Sequence, residues 1–165
     1  MSEPLLRTDK EITDIYMRHC KTIYRVCFAY MKNQADTEDA VEETFLRMIS
    51  KAPEFMSEEH EKAWLIRTAT NICINMLKHW QRTNENIDDH TDLKSPEITG
   101  NDEILQCVLE LPEKYKTVVY LYYYEGYTSP EIAEILKKPN STIRNYLHEA
   151  RKILTERIGD DFNEE

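Results

Sequence analysis

Glycine is nearly missing from this chain, with 3 in 165 residues. So few leaves little of the φ > 0 chemistry that tight hairpin turns require. Long windows carry apolar residues at helical spacing instead, so an all-α fold is expected. No run of about 18 apolar residues occurs, which argues against a membrane-spanning helix. The first ten residues lack the charged-then-apolar build of a signal peptide, and a cytoplasmic protein is expected. Cys20, Cys27, Cys73 and Cys107 form no CxxC pair and no metal-like spacing. Each lies on or near an apolar stripe, where a buried reduced thiol is the expected state. A di-iron bundle would need Glu three residues before His. The residues three before His19, His60, His79, His90 and His148 are Tyr16, Ser57, Met76, Ile87 and Asn145, so no metal is expected. With no glycine-rich phosphate loop and no nucleophile–base motif, neither a cofactor nor an enzyme is expected.

The net charge of −10 is unevenly spread. Residues 1–82 carry net −1, residues 83–104 net −6, residues 105–158 net +1 and residues 159–165 net −4. The stretch over residues 83–102 is polar, contains Pro96 and Gly100 and shows no periodicity, so it reads as a flexible acidic linker. Fully extended it would span at most about 75 Å. Two small helical domains follow, over residues 8–82 and 103–158, with an acidic tail over 159–165. Neither is basic enough for tight autonomous binding to phosphates, so a role on DNA would require a partner.

Along the first domain, Ile12, Ile15, Tyr16, His19, Ile23, Val26, Cys27 and Tyr30 place one helix over residues 9–32, with His19 at the edge of the core and not a ligand. A second helix over 33–52 is expected to be capped by Asp36 or Thr37. It is dense in acid at Glu38, Asp39, Glu42 and Glu43, followed by Phe45. Acid in the first turns suits the helix dipole and a solvated face; an acidic partner-docking face is the alternative. A loop over 53–59 leads to a third helix ending near Arg82. After Lys62 that helix has no acid, while Arg67, Lys78 and Arg82 add charge and Trp64, Asn71, His79 and Gln81 add aromatic and amide groups. That mixture fits capture of single-stranded nucleic acid, or simply the solvated back of a core helix.

In the second domain a helix from Glu103 ends at Leu111-Pro112. Residues 113–125 contain VVYLYYY, which would suit a strand, but with helical neighbours and no partner strand a helix is expected, stopped by Gly126. Thr128-Ser-Pro-Glu131 then opens a helix, with Thr128 or Ser129 as its cap, and Pro139 is expected to close it. Asn140 or Ser141 caps a second helix in which Ile143, Leu147, Ala150, Leu154 and Ile158 form one buried stripe. The opposite face presents Ser141, Asn145, His148 and Lys152, with Arg144 and Arg151 flanking. This is the helix-turn-helix pattern, whose outward groups suit base edges and phosphates in a major groove; an ordinary helical hairpin with a solvated face shares it.

Several segments occur in one order: Asp36–Phe45, Lys62–Asn71, Leu111–Tyr115, Glu125-Gly126, Glu131–Ala133 and Thr142–Arg151. Together they resemble the extracytoplasmic-function (group IV) sigma factors of bacterial RNA polymerase, over about residues 10–158. The resemblance implies a promoter-specificity subunit that binds core RNA polymerase and promoter DNA, held in check by an anti-sigma factor, with no membrane insertion. Asp36, Glu38, Asp39, Glu42, Glu43 and Phe45 would dock on core polymerase. Trp64, Asn71, Lys78 and Arg82 would take the −10 element as an unpaired strand. Ser141, Thr142, Arg144, Asn145, His148, Arg151 and Lys152 would read the −35 duplex. Four departures stand out: Glu42 replaces a frequent Gln, Tyr122 a frequent Arg, Lys137 the usual turn Gly, and Glu149 a frequently basic residue. The competing readings are a stand-alone helix-turn-helix regulator and a helical adaptor with no DNA role.

Overall fold

The computed structural model describes residues 6–83 and 107–158, which belong to two compact units divided in chain order between Lys94 and Ser95. The expected linker, the acidic tail and residues 103–106 of the helix expected from Glu103 lie outside the described residues. Helices joined by turns account for the rest, and no strand occurs among the described residues.

The first unit packs three helices on one another. Helix α1 (Asp9–Met31) starts where Thr8 accepts from the Glu11 N–H and the Glu11 carboxylate accepts from the Thr8 N–H, a reciprocal cap. Lys32, in the left-handed conformation at φ 68°, closes it. Helix α2 (Gln34–Lys51) is capped by Asn33, whose side chain accepts from the Asp36 N–H at 2.8 Å. This corrects the expected cap at Asp36 or Thr37: Asn33 has the extended backbone a cap needs, so both lie inside the helix. Thr37, Ala40, Val41, Thr44, Phe45 and Met48 turn inward at helical spacing. Helix α3 (Glu58–Thr83) supplies Leu65, Ile66, Ala69, Ile72 and Cys73 to the shared core with Ile23, Val26, Cys27 and Phe28 of α1.

Between α1 and α3 lies a polar junction. Glu61 and His19 are 5% and 6% exposed. The two Glu61 oxygens accept from Arg18 Nε and Nη2 at 3.0 and 3.1 Å, and His19 Nε2 lies 2.7 Å from Oε1. A buried carboxylate is tolerable only with such partners.

In the second unit, residues 107–109 form a helical turn whose end is capped by Lys116, itself buried, with Nζ donating to the Leu109 carbonyl at 2.9 Å. Helix α4 (Glu113–Val119) continues into a widened π-helical turn over Tyr120–Tyr124. There the Glu125 N–H reaches back to the Tyr120 carbonyl and that of Tyr127 to Leu121. The VVYLYYY run is thus helical, as expected, because its β-branched and aromatic side chains find a core with Leu111, Ala150 and Leu154. Gly126, at φ 81°, turns the chain out of it.

Helix α5 (Ser129–Leu136) begins at Thr128, whose hydroxyl and the Glu131 carboxylate form a second reciprocal cap. Lys137, at φ 58° and ψ 49°, ends it one turn after Ala133, before Pro139 is reached. Proline is therefore not what closes the helix. Helix α6 (Asn140–Ile158) is already under way at Asn140, and the carbonyl of Pro139 accepts from Thr142 and Ile143. Neither Asn140 nor Ser141 is its cap. Ile143, Leu147, Ala150 and Leu154 are buried as expected.

Candidate nucleic-acid interface

The α5–turn–α6 arrangement leaves one side of α6 open. Ser141, Arg144, Asn145, His148 and Lys152 are exposed, while Thr142 and Arg151 are half-buried. Arg144, His148 and Arg151 recur at i, i+4 and i+7 and so share a helical face. Lys152 is within 3.9 Å of Glu149, a weak surface pair. Arg144 has no carboxylate partner among the described residues, so its five donors remain available.

Arg151 is held differently. Its Nε donates to the Tyr123 hydroxyl at 2.8 Å, and its Cζ lies 5.6 Å from the centre of the Tyr122 ring. The two rings meet edge-to-face, with centroids 4.9 Å apart. The Tyr123 hydrogen bond, foremost among several causes, raises the Arg151 pKa above its ordinary value. Sequence reasoning named Arg151 and missed its holders, which come from the widened turn 28 residues earlier.

On α3, Asn71, Lys78 and Arg82 are exposed and share one face by their spacing. Trp64 is half-buried at the other end of the helix, 6.0 Å from Phe55 and edge-on to it. Arg67 is half-buried, and burial lowers its pKa; Lys78 and Arg82 are the exposed cations of this face. The loop before α3 is tied down from several sides. Arg7 donates to the Ala52 and Pro53 carbonyls and lies 4.9 Å over Phe55. The His60 ring packs edge-on against Phe55 and accepts from the Met56 N–H at 3.0 Å. Neither Arg7 nor Phe55 carried a local sequence signal.

On α2, Glu38, Asp39, Glu42 and Glu43 are exposed, and Asp36 is half-buried and bonded to Asn33. Phe45 does not lie among them. It is 7% exposed and packs edge-on against Tyr16, because it falls on the stripe with Val41 and Met48. The apolar groups beside the acids are instead Leu46 and Ile49, which are 52% and 39% exposed.

Cys27 and Cys73 meet in the first core, and the mutual thiol hydrogen bond, followed by burial, pushes the Cys27 pKa well up. Cys20 and Cys107 are half-buried, not fully enclosed as expected. Among the described residues, no helix is long and apolar enough to cross a membrane.

The model for sigma-70 region 2 matches residues 15–83, and that for sigma-70 region 4 matches residues 101–154. The ECF RNA polymerase sigma factor SigW of Bacillus subtilis is 26% identical, over 91% of this chain and 88% of its own. RNA polymerase sigma factor SigV of the same organism is 30% identical, over 82% and 84%. The fold is similar to that of the sigma factor RpoE, solved in complex with the anti-sigma factor NepR from Bartonella quintana. The TM-score is 0.68 at 18% identity, covering 90% of this chain and 97% of that one.

Proposed function

The chain belongs to the extracytoplasmic-function branch of the sigma-70 family and directs promoter-specific transcription initiation; from that premise we propose which of its surfaces carry each step. The observation behind the assignment is that each of the two compact units carries one sigma region, region 2 in the first and region 4 in the second. The exposed acids Glu38, Asp39, Glu42 and Glu43, with Asp36 at their edge, dock on core RNA polymerase, and Leu46 and Ile49 add apolar area to that face. Phe45 supports the face from behind through Tyr16.

Asn71, Lys78 and Arg82 of α3, with Trp64 and the tethered loop before it, receive the −10 element as an unpaired strand. An unstacked base exchanges its pairing for protein contacts there, and cations meet the phosphates. Helix α6 enters the −35 major groove, where Arg144 and Asn145 meet base edges and Ser141, Thr142, His148, Arg151 and Lys152 meet bases or backbone. Residues 8–82 and 103–158 then act as separate modules on the tether over 83–102. The protein works in the cytoplasm, where its polymerase is, binds no cofactor and performs no catalysis of its own. An anti-sigma factor restrains it, as NepR binds the Bartonella protein.

Run-off transcription with purified core polymerase, followed by sequencing of transcript starts, tests the proposal. New starts sharing two sequence elements at promoter spacing are the expected result. Core enzyme whose starts do not change on adding the protein would refute it.

A further inference from the structure

Two of the four long cations on α6 sit beside carboxylates. Arg157 is bonded to Glu110 at 2.5 Å and Lys152 is near Glu149. Arg151 has no carboxylate partner among the described residues; what holds it is a pair of tyrosines. A guanidinium carries five N–H donors in a planar fork. Using Nε on the Tyr123 hydroxyl leaves the paired Nη edge, the one that matches two phosphate oxygens side by side. The ring of Tyr122, 5.6 Å away, restrains the plane of that fork. A carboxylate in the same place would cancel the charge, whereas a phenol orients it and leaves it whole.

We propose that Tyr123 and Tyr122 are positioning residues that turn Arg151 into a rigid clamp for one backbone phosphate of the −35 duplex. The inference rests on α6 being the −35 reader. Arg144 and Arg151 are seven residues apart, about 10 Å along the helix axis. One is free to adapt to a base edge, and the other arrives with its side-chain entropy already spent. Preorganisation of this kind raises affinity by lowering the cost of ordering, not by adding a contact. The widened turn at Tyr120–Tyr124 is the device that brings two successive tyrosines against the same arginine.

The test uses the full chain assembled with core polymerase on a promoter fragment recovered from the transcript-start experiment. Arg151→Ala is expected to weaken promoter binding about tenfold and to reduce the slope of log K against log salt by about one. Tyr123→Phe keeps the ring and removes only the hydroxyl; a loss of about three- to tenfold is expected, the net scale of one hydrogen bond. In an Arg151→Ala background the same change should cost nothing further. Arg151→Lys should restore the salt slope without restoring affinity, since an ammonium lacks the fork. Unchanged melting and core co-elution check that each variant is folded.

If Tyr123→Phe costs as much with Ala at 151 as with Arg, the tyrosine acts through packing and the proposal fails. Should Arg151→Ala bind normally while Arg144→Ala does not, the clamp is wrong and α6 remains the reader. Normal binding by both variants would remove the −35 assignment itself, and the clamp with it.

Discussion

Glu61 gives up nearly all its water to sit between Arg18 and His19, and it does so 43 and 42 residues away from them in sequence. Removing Glu61 takes the carboxylate from the buried His19 ring and leaves Arg18 only its longer contact to Glu58 at 3.8 Å, which costs more than the pairing contributed. Glu61→Ala is therefore expected to destabilise the first unit by about 2–3 kcal/mol, seen as a lower urea midpoint at unchanged slope; a shift under about 0.5 kcal/mol would mean that water replaces the carboxylate. Nothing local announced this cluster. A sequence window sees His19 on an apolar stripe and places it correctly at the core, yet cannot see what meets it there. Phe45 is the opposite case. Its stripe with Val41 and Met48 was legible, and the run of acids around it drew attention to the wrong face. Arg144 has no partner to lose, so Arg144→Ala should leave stability alone and weaken promoter binding by about 1–3 kcal/mol. The loss should fall on one base position; equal losses on all sequences would make it a phosphate contact.

Among the elements, the tight connection between α5 and α6 shows how local chemistry ends one helix and starts the next. Lys137 adopts the left-handed conformation that glycine adopts without steric cost, at φ 58°. Lys137→Gly is expected to stabilise the protein by about 1 kcal/mol, read as a higher melting temperature with unchanged helicity. A loss of stability would show that the lysine side chain makes up for its backbone. The capping box at Thr128 was visible in advance because it is a four-residue pattern, whereas the same pattern at Thr8 went unread. The Asn33 cap was passed over because acids three to six residues later offered a stronger-looking start. Helical periodicity likewise revealed α1, α3 and α6 to within about two residues at each end, whereas the π-helical turn had no signature in a run of tyrosines. For α2, the exposed acids beside Leu46 and Ile49 define a face whose charge can be inverted without touching the core. Asp39→Lys should abolish co-purification with core polymerase while the melting temperature holds; undiminished recovery of core would remove that face from the docking surface.

At the scale of the molecule, the charge distribution decides how DNA can be held at all. Two modules of net −1 and +1 flank seven acids and one base over residues 83–104, and four more acids follow at the end. At physiological salt, exposed charges feel one another over only about 8 Å, and counterion release by a handful of cations supports only weak binding. Affinity must then come from the polymerase, with the modules contributing selection. In a gel shift at physiological salt, the free protein should fail to retain a promoter duplex at concentrations where the complex with core polymerase retains it fully. Replacing the acids of residues 83–104 by serine at constant length separates two effects that their charge could have. Free protein should then hold DNA more tightly and with less selectivity, because a repulsive segment has been neutralised. Initiation with core should fall if the acids thread a basic channel of the polymerase, and unchanged initiation would count against that path. Tight, sequence-selective retention by the unmodified protein without polymerase would overturn the division of labour and make it a stand-alone regulator.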